Sequence, residues 1–286
     1  MTKLSIRRGR PEDAPRCGQI CFEAFSAISA KHNFPPDFPT PDAAIGLLSW
    51  MLAQADVYSI VAEMGGQIVG SNFLWENGPI AGVGPITVDP SLQNASIGRR
   101  MMEEALTRGQ ARGFAGVRLV QAGFHCRSLS LYAKLGFIVR EPLVVMNGTY
   151  SGGTFHGYKV RPAEEADITS CNELCCRVHG HHRDGELRGA IAQNTATIVE
   201  RHSRITGYAT QIGFFGHAVG ETNHDLQPLI GLATQITGPG FIVPVRRAEL
   251  FQWCLQNGFR VVQPLNLMTV GLYSEPAGGF MPSILF

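Results

Sequence analysis

The stretch VDPSLQNASIGRRMMEEAL, residues 88–106, passes from an extended segment through a turn into a helix. The extended run ends at Val88, and apolar residues then recur at four-residue spacing from Ile97 to Ala105, as on one face of a helix. Residues 93–98 between them are small or uncharged, so a ligand has room near the N–H groups of the helix start. Because these groups and the helix dipole attract negative charge, the stretch predicts an anion site between a strand and a helix.

The amino-acid composition indicates which classes of protein do not fit this chain. Of 286 residues, 44% are hydrophobic and 16% are charged, so a sizeable core is expected and wholesale disorder is not. The net charge of +1 gives no electrostatic case for a nucleic-acid partner. The start of the chain lacks the apolar core of a signal peptide, and no apolar run reaches bilayer length, so we expect no membrane partner. Seven cysteines without CxxC pairs favour a cytoplasmic location.

An internal repeat divides the chain. Each copy contains an arginine, an aspartate and two cysteines four residues apart, and the two patterns are offset by 154 residues (Arg161 against Arg7). The matched residues are Arg7, Asp13, Cys17 and Cys21 in the first copy and Arg161, Asp167, Cys171 and Cys175 in the second. A later Gly-Phe pair is offset by only 122 residues (Gly258 against Gly136), so the second copy is shorter in its middle. The paired cysteines lie on apolar helix faces, which favours packed core over thiol nucleophiles.

The order of elements in the first copy predicts a mixed sheet. We predict strands over 4–7, 58–63, 68–75, 80–88, 115–122, 137–141 and 143–147, with helices over 13–30, 97–112 and 128–135 and another within 31–54. The fold class is therefore α/β (α+β), with two tandem domains that each contain a mostly antiparallel twisted sheet flanked by helices. We place the first domain at residues 1–147, a glycine-rich linker at 148–157, and the second domain at 158–286.

Four segments, in this order, resemble the GNAT superfamily of acetyl-CoA-dependent N-acetyltransferases: IRRGRPEDAPRCGQI, VAEMGGQIVGSNFL, ITVDPSLQNASIGRRMMEEAL and SLSLYAKLGF. The resemblance covers most of residues 4–146, and the two-copy layout is similar to tandem GNAT proteins. The pyrophosphate loop of that family falls on Gln93 to Gly98, with Ser96 at its first glycine position. The tyrosine of its later motif is Tyr132, which stands shortly before Lys134-Leu135-Gly136-Phe137. His125 and Ser128 replace an asparagine and an alanine that are usual there.

The resemblance implies that acetyl-CoA binds as a co-substrate and that no metal is needed. The residues that it implies for acetyl-CoA are Ile86, Thr87, Val88, Gln93, Asn94, Ala95, Ser96, Ile97, Gly98, Arg99, Ser128 and Tyr132. The simpler interpretation of the loop is a solvent-capped helix, with Ser96 or Asn94 as the N-cap. The segment HGHHRDGE (179–186) is rich in histidine but lacks the ordered spacing of metal motifs.

The resemblance also implies an N-acetyltransferase, an acyltransferase in which an amine of a small molecule or peptide attacks the thioester directly in a ternary complex. A backbone amide of the strand ending at Val88 would hold the oxyanion. Tyr132 would protonate the leaving thiolate, or would only pack against the pantetheine. The loop 31–42, otherwise a rigid connector, lies beside the acceptor site in this family. The implied acceptor contacts are Phe34, Asp37, Phe38 and Trp75.

The catalytic base has no candidate in its usual place, because the central strand AGVGPITVD carries no acid before Asp89. We consider three alternatives: the side chains of Glu76 and Asp37, and the terminal carboxylate at Phe286. An apolar final segment would carry that carboxylate into a cleft and raise its pKa, whereas on an edge strand it would lie in water.

The second copy contains a literal match to the loop motif at residues 235–240. A predicted helix (223–235) precedes it and a predicted strand (241–245) follows it. A phosphate loop needs the opposite order, so we interpret the second copy as degenerate. A non-catalytic acyl-CoA-binding or sensing protein is the alternative function, and the sequence leaves open a monomer or a homodimer.

Overall fold

The computed structural model describes residues 4–93 and 95–285, and the chain divides into two compact units. The first unit comprises Met1–Ile138 and Met268–Leu272, and the second comprises Val139–Leu267 and Tyr273–Phe286. The domain bounds at residues 147 and 158 stay a prediction, because a sequence repeat marks copies of a motif rather than compact units.

The first unit is a mixed sheet flanked by helices. Its elements are β1 (Leu4–Arg8), α1 (Ala14–Lys31), α2 (Pro41–Ala53), β2 (Val57–Met64), β3 (Gln67–Trp75), β4 (Ile80–Val83), β5 (Thr87–Val88), α3 (Ile97–Ala111), β6 (Gly116–Ala122) and α4 (Cys126–Lys134). The strand order is β1-β2-β3-β4-β6, and residues 268–271 of β13 (Phe259–Gly271) continue it. The pair β4–β6 is parallel, whereas β1–β2, β2–β3 and β3–β4 are antiparallel. The predicted fold class is confirmed.

The single strand predicted over 80–88 is wrong, because an irregular segment separates β4 from β5. Gly84 in that segment has a φ of 141°, which residues other than glycine rarely adopt. Leu74 lies opposite Val83, and Ser71 lies opposite Thr87. Two residues of β3 therefore lie between the paired positions, whereas three residues lie between them on the segment that joins β4 to β5. One extra residue on the partner strand is a β-bulge, a feature that periodicity of apolar residues does not reveal.

The second unit contains two sheets. Its elements are β7 (Ile138–Gly148), β8 (Tyr158–Pro162), α5 (Ile168–His179), α6 (Asp184–Ala192), β9 (Thr197–Arg201), β10 (Arg204–Ala209), β11 (Ala218–Gly220), α7 (Asn223–Gly231), β12 (Phe241–Pro244), α8 (Ala248–Gln256), β13 and β14 (Gly279–Met281). One sheet has the order β14-β11-β10-β9-β8, and β7 lies between β12 and β13 in the other.

Two further predictions of elements are corrected in this unit. The strands predicted at 137–141 and 143–147 form the single strand β7, because Pro142 does not interrupt it. The helix predicted over 223–235 ends at Gly231, since Pro228 lies inside it and the following residues form no further helical turn.

The matched cysteines confirm the predicted cores. Cys17, Cys21, Cys171 and Cys175 are all fully buried. Burial raises the pKa of Cys17 to about 11 and that of Cys171 to about 12, so these thiols stay protonated at neutral pH. In the first unit the helix α1 also packs closely on α2, since a Cβ on Gly18 would lie 2.4 Å from the Cα of Ile45.

The repeated arginine and aspartate form the same ion-pair cluster in both copies. Arg7 donates to both carboxylate oxygens of Asp13 at 2.7 and 2.8 Å, and its Nε donates to Glu63 at 2.9 Å. Arg161 donates to Asp167 at 2.7 and 2.8 Å, and its Nε donates to Glu200 at 3.0 Å.

Each cluster ties an edge strand to the start of the next helix. Asp13 also accepts from the backbone N–H of Arg10, and Asp167 accepts from that of Glu164. A bidentate guanidinium–carboxylate pair with a further backbone donor is among the stronger hydrogen-bonded arrangements. We infer that the repeat was retained at these positions because the pair fixes the turn between strand and helix.

We predict that Asp167→Asn lowers the free energy of unfolding by roughly 1–3 kcal/mol at pH 7, since an ionic hydrogen bond is lost from a largely buried site. The hydrogen bonds from Arg161 lower the pKa of Asp167 from 3.8, so its contribution is present above that pH. The contribution is lost as the pH falls through the lowered pKa. Urea unfolding midpoints at pH 7 and pH 3 test both statements.

The control is Glu165→Gln on the same turn, because Glu165 is exposed and pairs with the exposed Arg188. Such exposed pairs contribute little to stability. An Asp167→Asn variant with the same unfolding midpoint as Glu165→Gln at pH 7 would contradict the prediction.

Candidate functional site

A cleft opens in the first unit where two neighbouring strands separate. The parallel pairing of β4 with β6 ends at Gly82 and Arg118, while β5 pairs with β3. The space between β5 and the start of α4 is a cleft of about 770 Å³. Its walls come from the second half of α1, from β5, from the start of α3 and from α4. Ligands commonly bind where strands of an open sheet diverge.

The start of α3 faces this cleft without a side-chain cap. Ser96 is the N-cap residue, and its side chain accepts no capping hydrogen bond. The first bond of the helix runs from the N–H of Arg100 to the carbonyl oxygen of Ser96, at 3.1 Å. This leaves the N–H groups of Ile97, Gly98 and Arg99 without an acceptor inside the helix. Ile97, Gly98 and Arg99 all line the cleft, so an anion in the cleft would find these donors.

Ser96 adopts the backbone conformation that a glycine would adopt more easily. Its φ is 60° and its ψ is 13°, in the left-handed region. For a residue with a Cβ atom this conformation costs roughly 1–2 kcal/mol. The loop thus has the positive φ that favours glycine, even though serine occupies the position.

Ten of the twelve residues predicted to bind acetyl-CoA line the cleft. These are Ile86, Thr87, Val88, Gln93, Ser96, Ile97, Gly98, Arg99, Ser128 and Tyr132. Ala95 is exposed to solvent and is not among the lining residues, while Asn94 lies outside the described residues.

Tyr132 lies at the inner end of α4 and is only 7% exposed. It lines the cleft, and its ring packs at 6.0 Å from that of Phe137. Burial raises the pKa of its hydroxyl well above the ordinary value of 10. The hydroxyl therefore stays protonated at neutral pH.

The start of α4 is held by the side chain of Gln121, which is buried at the end of β6. Its amide donates to the Ser128 hydroxyl and to the His125 carbonyl oxygen, both at 3.0 Å. The Ser128 hydroxyl donates to the same carbonyl oxygen, also at 3.0 Å. The serine that replaces the usual alanine is thus part of the helix start, and its Oγ already has two partners.

The charged residues of the cleft are all basic. They are Lys31, Arg99, Arg127 and Lys134, and no acidic side chain is found among the described lining residues. Sequence reasoning missed Lys31, Arg127 and Lys134, as well as Phe124. These residues come from separate elements, and no local pattern in the sequence indicates that they share a cleft.

The predicted acceptor residues divide into two groups. Phe34 stacks on Phe124 with ring centres 4.3 Å apart, and Phe38 packs edge-on against Phe25 at 5.9 Å. Phe124 and Phe25 line the cleft, so both predicted phenylalanines extend its aromatic wall.

Asp37 and Trp75 do not line the cleft. Asp37 accepts a hydrogen bond from the Ser29 hydroxyl at 3.4 Å. Trp75 is 5% exposed, and its indole N–H donates to the carbonyl oxygen of Gly84 at 3.0 Å. This bond fixes Trp75 against the irregular segment between β4 and β5, which gives the indole a structural role.

The contacts of Glu76 bear on its role as a predicted base. Its carboxylate accepts from Arg108 at 2.6 and 2.9 Å and lies 3.7 Å from Arg112. Glu76 does not line the cleft, and its pairing with the two arginines anchors α3 to β3. Its assignment as the base stays a prediction. The terminal carboxylate at Phe286 lies outside the described residues.

The second unit has no comparable open helix start after β11. The N–H and the hydroxyl of Thr222 donate to Asp225 at 2.9 and 2.6 Å, and Asp225 is fully buried. A carboxylate of the chain itself thus occupies the start of α7. The literal loop motif at 235–240 follows α7 and precedes β12, as the sequence predicts. Gly240 is needed there for packing, since a Cβ would lie 2.2 Å from the Met146 carbonyl oxygen.

The histidine-rich segment contributes to a buried polar network in the second unit. Glu186 accepts from Arg183 at 2.7 Å and lies 3.0 Å from Nδ1 of His217. The Nε2 atom of His217 is 3.1 Å from the Tyr208 hydroxyl. Burial lowers the pKa of His217. Within residues 4–93 and 95–285, no group of three or more His, Cys, Asp or Glu side chains is arranged to hold a metal ion.

No helix in the described part of the chain is long and apolar enough to cross a membrane.

Comparison with known proteins identifies the fold and relates residues 24–137 to a known family. The sequence model of the acetyltransferase (GNAT) family matches residues 24–137. No curated protein matches the chain. A Pyrococcus horikoshii structure described as an acetyltransferase superposes with a TM-score of 0.71 at 17% identity, over 96% of this chain and 91% of that one.

Two other solved structures share the architecture over nearly the whole chain. A GCN5-related N-acetyltransferase from Sphaerobacter thermophilus has a TM-score of 0.66 at 12% identity, with 95% of this chain and 96% of that one covered. A tandem GNAT protein from the clavulanic acid biosynthesis pathway has a TM-score of 0.54 at 13% identity, with 97% and 99% covered. The acetyltransferase (GNAT) family model thus matches the part of the chain that forms the cleft and its open helix start, and the whole chain has the fold of tandem GNAT proteins.

Proposed function

We propose that the protein transfers an acetyl group from acetyl-CoA to an amine of a small molecule or peptide within the cleft of the first unit. The observation that supports this best is the uncapped start of α3. It presents the N–H groups of Ile97, Gly98 and Arg99 to a cleft whose charged residues are basic. A diphosphate is the kind of ligand that such a helix start binds. Acetyl-CoA combines a diphosphate with an activated acyl group.

The cleft fits acetyl-CoA in shape and charge. Its volume of about 770 Å³ lies within the range of pockets for molecules of drug or cofactor size. The diphosphate would lie at the start of α3. The pantetheine would extend between β5 and α4 towards Tyr132, at the inner end of α4.

The proposed reaction is a direct acyl transfer. The lone pair of a neutral amine forms a bond to the thioester carbonyl carbon, and the carbonyl oxygen becomes an oxyanion. A backbone N–H of the segment ending at Val88 would stabilise this oxyanion, because preorganised donors act most strongly where charge develops. The carbon–sulfur bond then breaks, and the Tyr132 hydroxyl donates its proton to the leaving sulfur.

The amine must also lose a proton, and the described lining residues include no carboxylate that could accept it. Glu76 is engaged by two arginines, and Asp37 is the other side-chain candidate, from the acceptor loop. The terminal carboxylate at Phe286 stays a prediction.

The aromatic wall supports an acceptor that carries an apolar or aromatic group beside its amine. Phe25, Phe34, Phe38 and Phe124 are all partly exposed around the cleft, although large apolar side chains are usually buried. Partly exposed rings of this kind are common in binding sites, because they provide a large contact area with little conformational freedom.

We predict that Gly98→Glu abolishes acetyl-CoA binding and leaves the protein folded. The new carboxylate would lie in the anion site and repel the diphosphate. The control is Gly98→Ala, since a Cβ at this position lies 3.7 Å from Leu131 and from Val88, at ordinary contact distance. Calorimetric titration with acetyl-CoA measures the affinity, and circular dichroism checks the fold. If a folded Gly98→Glu variant binds acetyl-CoA with wild-type affinity, the diphosphate does not bind at the start of α3.

We predict that Tyr132→Phe lowers kcat by roughly ten- to a thousandfold, the range that one proton-transfer group supplies. The dissociation constant of CoA should change little, because the ring remains. Steady-state thiol release with an accepted amine measures kcat. An unchanged kcat would show that Tyr132 only packs in the cleft.

The non-catalytic alternative makes a different prediction for the wild-type protein. An acyl-CoA-binding or sensing protein would bind acetyl-CoA and release no thiol with any amine of a broad panel. Amine-dependent thiol release with any member of the panel supports the transferase.

A further inference from the structure

The cleft has a second group of basic side chains, on walls other than the start of α3. Lys31 and His32 lie at the end of α1, while His125 and Arg127 lie at the start of α4. All four residues line the cleft, and the ring centre of His32 lies 5.5 Å from that of Phe124, the neighbour of His125. Burial, together with the charge of Arg127, lowers the pKa of His125.

No acidic side chain is found with these cations among the described residues that line the cleft. Elsewhere in the chain many arginines form ion pairs with carboxylates, as Arg7 does with Asp13 and Arg108 does with Glu76. Over residues 4–93 and 95–285, no ion pair involves Lys31 or Arg127. The guanidinium of Arg127 instead donates to the neutral side-chain oxygen of Gln93, at 3.0 Å.

The dipoles at the two helix ends do not cancel the positive charge of these side chains. The C-terminal end of α1 offsets part of the charge on Lys31 and His32. The N-terminal end of α4, at His125, adds positive potential of similar size. Clustered cations repel one another, and a cleft concentrates their field on any anion that enters it.

We propose that Lys31, His32, His125 and Arg127 form a second anion subsite, which takes a phosphate monoester. The inference rests on the proposed function, in that the ligand entering the cleft is CoA or the amine that reacts with it. The N–H groups of α3 would serve the diphosphate. A phosphate monoester is then supplied either by the ribose 3′-phosphate of CoA or by a phosphorylated amine acceptor.

The first experiment compares CoA with dephospho-CoA, which lacks only the 3′-phosphate. Calorimetric titrations use the wild type and the double variant Lys31→Ala, Arg127→Gln. If CoA supplies the phosphate, the wild type binds CoA at least tenfold more tightly than dephospho-CoA, the effect of one charge-assisted contact. The double variant binds both at the level of dephospho-CoA.

The matched control is the double variant Lys159→Ala, Arg260→Gln, which removes the same charge from exposed positions of the second unit. It should keep the wild-type preference for CoA. Loss of that preference in the control would show that net charge, and not a subsite, causes the discrimination, and would overturn the inference.

The second experiment tests the acceptor as the source of the phosphate. Thiol release is measured with acetyl-CoA and either phosphoethanolamine or ethanolamine. If the acceptor supplies the phosphate, the wild type has a KM for phosphoethanolamine at least tenfold below that for ethanolamine. Lys31→Ala, Arg127→Gln raises the ratio of the KM for phosphoethanolamine to the KM for ethanolamine at least tenfold.

The failure of this inference differs from the failure of the proposed function. Equal binding of CoA and dephospho-CoA, with no preference for the phosphorylated amine, overturns the subsite and leaves the acetyl-CoA site intact. Binding of neither CoA nor dephospho-CoA by the folded wild type overturns both.

Discussion

Three backbone N–H groups at the start of α3 have no acceptor inside the helix, and the organisation of the first unit follows from that constraint. Unpaired donors need a partner, and the side chain of Ser96 does not supply one. The left-handed conformation of Ser96 turns the chain so that Ile97, Gly98 and Arg99 line the cleft between β5 and α4. The bulge between β4 and β5 separates the strands at the same place. Both features cost free energy, which an anionic ligand would offset.

The corresponding helix start in the second unit already has a carboxylate of the chain beside it. Asp225 accepts from the N–H and the hydroxyl of Thr222 at the start of α7, and it is fully buried. The two copies nevertheless keep the same ion-pair cluster, built on Arg7 in one and Arg161 in the other. The two copies therefore share the ion-pair cluster and differ at the helix start where a ligand would bind. In this physical sense we interpret the second copy as degenerate.

Sequence reasoning succeeded where the signal is local. The apolar face of α3, the paired cysteines and the loop before Gly98 all depend on spacing within one element, and the structure places them as predicted. It failed where the outcome depends on distant residues. The bulge beside Gly84 changes no periodicity, and the arginines that engage Glu76 lie 32 and 36 residues further along the chain. The basic wall of the cleft joins α1 to α4, which only the folded sheet brings together.

In the proposed complex, the start of α3 binds the diphosphate of acetyl-CoA. Backbone amide chemical shifts measured with and without acetyl-CoA report on this contact, because a new charge-assisted hydrogen bond moves the donor's proton resonance downfield. We expect large downfield shifts at Ile97, Gly98 and Arg99, with small changes at the start of α7. Unchanged resonances for the three α3 amides at saturating acetyl-CoA would contradict it.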